Sequence, residues 1–145
     1  MTQGARATAG KSFLARRGWL VWAPVILVVS VVPVAWVFGA TPRATWSLSS
    51  ELGHFFEFGL FAALVALSRE RAGAGASALL AGAVAAIAYG VAIELIQWPI
   101  PYRSADPRDV AVDVLGVTSA LAILWYLRRR AAAGGRGARI GSDSR

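Results

Sequence analysis

Cysteine is absent from this 145-residue chain, so neither disulfides nor thiolate metal sites can form. Histidine occurs once, too few for the common zinc sites, and no P-loop, zinc-binding or hydrolase signature is present. Charge is also scarce: 16% of residues are Asp, Glu, Lys or Arg, against 57% hydrophobic. A chain of this length holds one small domain. The net charge of +7 is not accompanied by aromatic–basic interleaving or any nucleic-acid motif. Most of the positive charge lies in the two termini and around Arg69–Arg71, where it serves topology and attraction to anionic lipid. There is no internal repeat.

Long apolar stretches are what the chain does contain. Four of them, 19–39, 52–67, 77–98 and 110–127, approach the roughly 17–25 residues needed to cross a hydrocarbon core of ~30 Å. The sequence therefore predicts an all-α, polytopic, four-helix transmembrane bundle in a cytoplasmic (plasma) membrane. A basic segment, 1–18, precedes it and a basic, disordered tail, 129–145, follows it. If the N-terminus is cytoplasmic, all of the 15 basic residues except Arg43, Arg103 and Arg108 fall inside. Basic residues resist translocation, so this asymmetry predicts both termini inside. The acids sort the other way. Glu51, Glu57, Glu94, Asp106, Asp109 and Asp113 fall at the outer end, leaving Glu70 and Asp143 inside. Chemistry is therefore to be sought on the outer face.

The first stretch follows Lys11, Arg16 and Arg17 like the hydrophobic part of a signal peptide. At about 21 residues it is too long for one, and Phe38-Gly39-Ala40 is a poor cleavage site, so it reads as a retained anchor. The tryptophans mark headgroup depths: Trp19, Trp22 and Trp125 at the inner interface, Trp36, Trp46 and Trp98 at the outer one. Pro24 and Pro33 are expected to kink the first helix. Pro99 and Pro101 keep the start of the outer loop non-helical. Asp106, Pro107 and Asp109 suit the N-cap, first and third positions of the last helix.

The small residues Ala78, Gly82, Ala86 and Gly90, spaced four apart, form a ladder that lets two helix backbones approach closely in lipid. Glu94 is its next step, and Gln97 follows at i+3. His54 and Glu57 are likewise i,i+3 on the second helix. Asp109, Asp113 and Gly116 share a face of the fourth, and Arg103 hangs over them from the loop. Ionisable groups at such depth cost up to ~2.5–3.5 kcal/mol each near a helix centre, so they need partners and commonly mark function. The bland alternative is a network in which Arg103 neutralises the carboxylates and the cluster only staples the helices.

The order His54-Phe55, Glu94-Leu95-Ile96-Gln97, Pro101-Tyr102-Arg103-Ser104, Asp109, Asp113 and Gly116 resembles the VanZ-like family of small bacterial membrane proteins. The resemblance covers roughly 46–128, and the first stretch fits only as a hydrophobic segment. Two departures matter. The family usually has Asn where Asp113 stands, and its frequent Asp-Lys pair before the histidine is replaced by Ser50-Glu51. The founding member of that family is associated with low-level resistance to teicoplanin-type glycopeptides, so the resemblance implies a cell-envelope role.

Two functions compete. As a binding module, an outward-facing pocket engages a lipid-linked wall precursor or glycopeptide, with Arg103 on its phosphate or carboxylate. As an outer-leaflet enzyme acting on a lipid phosphate, His54 or Glu94 is the general acid or base and Arg103 the anion clamp. Glu57 and Gln97 complete the candidate set. The weak candidates for a divalent cation are Glu94, Asp109 and Asp113; no other cofactor is implied, and the oligomeric state is not encoded legibly. Transport is the weakest reading, because the inner half of every stretch is apolar. The topology is checked by placing single cysteines at Ser47, Ser104 and Ser142 and labelling intact cells with an impermeant thiol reagent. Labelling is expected at Ser47 and Ser104; labelling at Ser142 but not Ser104 would overturn the orientation.

Overall fold

The computed structural model describes residues 3–32, 48–101 and 107–142, with side chains described over 17–32, 51–101 and 108–133. Among the described residues there are four α-helices and no strand: α1 (Gln3–Val31), α2 (Leu48–Arg71), α3 (Ser77–Gln97) and α4 (Pro107–Ser142). Three are long and apolar enough to cross a membrane, over Glu51–Arg71, Ser77–Gln97 and Arg108–Ala133. The described apolar part of α1, Arg17–Val31, is shorter.

The helix ends differ from the apolar stretches in instructive ways. α1 contains Pro24 but closes at Val31, two residues short of Pro33. Pro33, the second proline expected to kink this helix, lies outside the described residues. Residues 33–39 of the expected first span, with Trp36, lie outside the described residues, as do Arg43, Trp46, Tyr102, Arg103 and Asp106. α1 also starts at Gln3, within the basic segment, and α4 continues through the triple arginine to Ser142, where a disordered tail was expected. Apolarity ends at Leu127, but no proline follows and 128–133 is Arg and Ala, good helix formers, so the backbone ladder propagates past it. The 36 residues of α4 are ~54 Å long, well beyond the ~30 Å hydrocarbon core.

The α2–α3 turn is closed by backbone geometry. Gly73 N–H donates to Glu70 O at 2.8 Å and Ala74 N–H to Arg69 O at 3.0 Å, the paired bonds of a Schellman cap. Such a cap needs a left-handed residue, and Gly73 supplies it with φ +88°. α3 then runs antiparallel to α2, and contacts along the chain place α4 parallel to α2 and α1 parallel to α3. At one end Gln97 meets Ser30 and His54 meets Asp113; at the other Arg128 meets Glu70. α2 is the central helix and packs against all three others.

Lipid supplies no hydrophobic drive for helix association, so close van der Waals contact must hold the bundle. The small-residue ladder does this on α3: Ala78, Gly82, Ala86 and Gly90 are all buried. A Cβ at Gly82 would stand 2.5 Å from Ala62 O, and one at Gly59 would stand 2.9 Å from Gly116 O. At Gly116 it would collide with the Phe55 carbonyl. Backbones touch at all three sites. Phe58, Phe61, Ala62 and Val65 of α2 fill the centre with Ile26, Ala86, Ile93 and Val117. Leu80, Val84, Leu115 and Ile123 face outward, as lipid-facing residues should.

The ladder makes a direct prediction. Gly82→Leu forces α3 off α2 and should lower the melting temperature in detergent, with overpacking of this kind costing about 1–3 kcal/mol or more. Val84→Leu, on an exposed face, should melt like the parent. Equal melting of the two variants would contradict the close-packed interface.

Candidate functional site

His54 stands two turns from the start of α2, and α4 delivers two carboxylates to it. Its Nδ1 lies 3.1 Å from Asp113 Oδ1, within hydrogen-bond distance, and its Nε2 lies 4.0 Å from Asp109 Oδ2. Asp109 and Asp113 are i,i+4 and share a helix face, so one imidazole is held between successive turns. Helix packing explains the placement. The Gly116 contact with the Phe55 backbone sets α4 against α2 one turn from Asp113. Gly90 of α3 then leaves room for the carboxylate, because a Cβ there would lie 2.8 Å from Asp113 Oδ2. The ring of Phe58 stacks under the imidazole with centroids 5.9 Å apart and planes 14° from parallel. Asp113 is 2% exposed, so its hydrogen bond to His54 is its shelter from an apolar surround.

The other candidates gather on the same side of the bundle. Glu57 is half-buried one turn below His54 on α2, and Asp109 is half-buried. Gln97 is buried on α3, and its Nε2 donates to Ser30 O of α1 at 2.8 Å. One carboxylate oxygen of Glu94, Oε1, is shut off from solvent. Of the seven candidates, Arg103 alone lies outside the described residues. Among the described residues no group of three His, Cys, Asp or Glu side chains is arranged to hold a metal ion.

Two participants, Ser30 and Tyr89, escaped the sequence reading, and a third, Trp22, was read only as a marker of the inner interface. Ser30 is a buried polar residue in the last described turn of α1, and its carbonyl accepts the Gln97 amide. Tyr89 Oη donates to Ala23 O at 2.6 Å, and Trp22 Nε1 donates to Glu57 O at 3.1 Å. These bonds dock α1 on α3 and α2 beneath the cluster. Lone Ser30 and Tyr89 within apolar runs were the available signal.

The opposite end of the bundle is basic. Arg128 Nη2 pairs with Glu70 Oε2 at 2.7 Å, and Arg129 and Arg130 lie over the rings of Trp125 and Tyr126 at 4.2 and 5.1 Å. Charge of opposite sign thus occupies opposite ends of three apolar, span-length helices, the arrangement of a small helical membrane protein. The chain belongs to the VanZ/LLP1 family, whose model matches residues 10–128. That match includes α1 and so reaches further toward the N-terminus than the motifs of 46–128. No curated protein and no solved structure matches the chain.

A double-mutant cycle checks the His54–Asp113 pair. Removing either side chain strands the other in an apolar site, at a cost of about 1–3 kcal/mol. Having lost the same contact, the double variant His54→Ala/Asp113→Ala should be destabilised by less than the sum of the singles, with coupling of about 1 kcal/mol. Strict additivity of the melting data would show that the two groups do not interact.

Proposed function

We propose that this VanZ-type membrane protein binds the polar head of an amphiphilic envelope ligand, a lipid-linked wall precursor or a lipid-tailed glycopeptide, in the polar cluster at its outer end. The observation that carries this reading is the His54–Asp113 pair, with Asp113 buried and Asp109 4.0 Å from the imidazole, set at the end of the bundle remote from Arg128, Arg129 and Arg130. In the proposed topology all four helices cross the plasma membrane with both termini cytoplasmic, supported by the sorting of basic residues. A ligand reaching the cluster would lay its chains along the outward apolar faces and its head among groups that donate and accept. Arg103 would meet a phosphate or carboxylate with a two-pronged contact. Glu94, Glu57, Asp109 and Gln97 would meet hydroxyl or cationic groups, and a divalent cation would bridge Glu94, Asp109 or Asp113 to a phosphate. The association of the family's founding member with low-level glycopeptide resistance supports the same class of ligand.

A second reading, an outer-leaflet enzyme acting on a lipid phosphate, is favoured by one feature of the pair. An aspartate on Nδ1 holds an imidazole in one tautomer and orientation, the support that a histidine acid or base requires. In that case His54 or Glu94 would move the proton and Arg103 would steady the developing charge.

The test uses purified protein in lipid nanodiscs, titrated with teicoplanin and with a lipid-linked wall precursor. The parent should gain thermal stability with at least one of them. Glu94→Gln and Arg103→Lys should abolish the gain while melting normally without ligand, since a lysine cannot reproduce the guanidinium fork. Release of a cleaved product during the titration would decide for the enzyme. Ligand-induced stabilisation that survives both substitutions would leave the cluster a structural network.

A further inference from the structure

At the basic end, away from the polar cluster, α1, α2 and α3 enclose an open groove of about 500 Å³. Its apolar lining includes buried Phe61 and Val65 and exposed Leu20, and its polar side chains include Arg17, Ser68 and Arg69. α3 faces it with Ala81 and Ala85, residues too short to fill the space between the helices. The two arginines are exposed and belong to different helices, so the groove is lined by one cation from α1 and one from α2. From Arg69 to Phe61 the groove follows α2 for ~12 Å, long enough to take the upper part of an acyl chain.

We propose that this groove is a binding site for an anionic glycerophospholipid. The phosphate sits between Arg17 and Arg69, and one acyl chain lies along Val65 and Phe61. The charge decides the occupant. Two cations at the mouth of an apolar groove match a lipid of net negative charge, each contributing attraction of the size known for basic residues at an anionic membrane surface. A zwitterionic lipid of the same chains offers the groove an equal apolar area but brings its own ammonium to the arginines. In the proposed topology the site opens to the inner leaflet, yet its chemistry does not depend on that orientation or on the outer cluster being a ligand site.

The experiment is native mass spectrometry of the full chain after delipidation and exposure to equimolar phosphatidylglycerol and phosphatidylcholine of identical chains. The parent should retain phosphatidylglycerol preferentially. Arg17→Gln/Arg69→Gln should lower that retention roughly tenfold or more. Ala81→Phe, which fills the groove and leaves every charge in place, should also lower it. Arg129→Gln/Arg130→Gln, an equal loss of charge at the same end, should leave it near the parent. Equal retention of the two lipids by the parent, or an equal fall in the control pair and the groove pair, would overturn the site. The first result would mean that only apolar area is recognised, and the second that only overall charge is.

Discussion

Contact of backbone with backbone along α2 is the constraint on which the rest of this molecule depends. Gly59 meets Gly116, Gly116 meets the Phe55 carbonyl, and Gly82 meets Ala62, so α3 and α4 lie as near to α2 as helices can. In lipid no hydrophobic force would draw these helices together, and short interaxial distance gives each pair its dispersion contacts. The same closeness determines where polar groups can go. Asp113 reaches His54 because α4 is pressed onto α2 one turn away, and it has room because Gly90 has no side chain. Packing and site are therefore one arrangement.

The polar groups repay this by fastening what glycine contacts leave loose. Among the described residues no glycine joins α1 to α3; Tyr89, Gln97 and Trp22 hold α1 through bonds to main-chain carbonyls across helix boundaries. Each such bond satisfies a donor that would otherwise be stranded in an apolar setting. The two ends of the bundle then differ in kind. One carries a half-buried histidine between two aspartates, a geometry that orients an imidazole, while the other carries arginines laid over aromatic rings and paired with Glu70, a geometry suited to a headgroup region.

Much of this was legible in the sequence because period and composition act locally. The ladder Ala78, Gly82, Ala86, Gly90 is buried as its spacing requires, and the triad His54, Asp109, Asp113 converges as the shared faces predicted. The ladder's extension to Glu94 was less exact. A four-residue step advances about 40° beyond a full helical turn, so by the fifth step the buried face has passed to Ile93 and Gln97, and Glu94 keeps one oxygen enclosed. The end of α4 was misjudged because apolarity stood in for helicity: arginine and alanine sustain the helix past Leu127. The carbonyl acceptors on Ala23, Ser30 and Glu57 could not be read at all, since every residue has a carbonyl and only the tertiary fold selects those that serve.

The claim that glycine-mediated packing builds the histidine site can be tested at one atom, because the chain has a single histidine. In protein labelled with nitrogen-15 histidine, the Nδ1 resonance reports the hydrogen bond to Asp113 without ambiguity of assignment. Gly90→Ala places a methyl group where the Asp113 carboxylate now lies, so it should shift that resonance in the direction that Asp113→Ala does, while Val84→Ala leaves it unmoved. A resonance indifferent to Gly90→Ala but displaced by Asp113→Ala would contradict the claim that the packing of α3 sets the geometry of the pair.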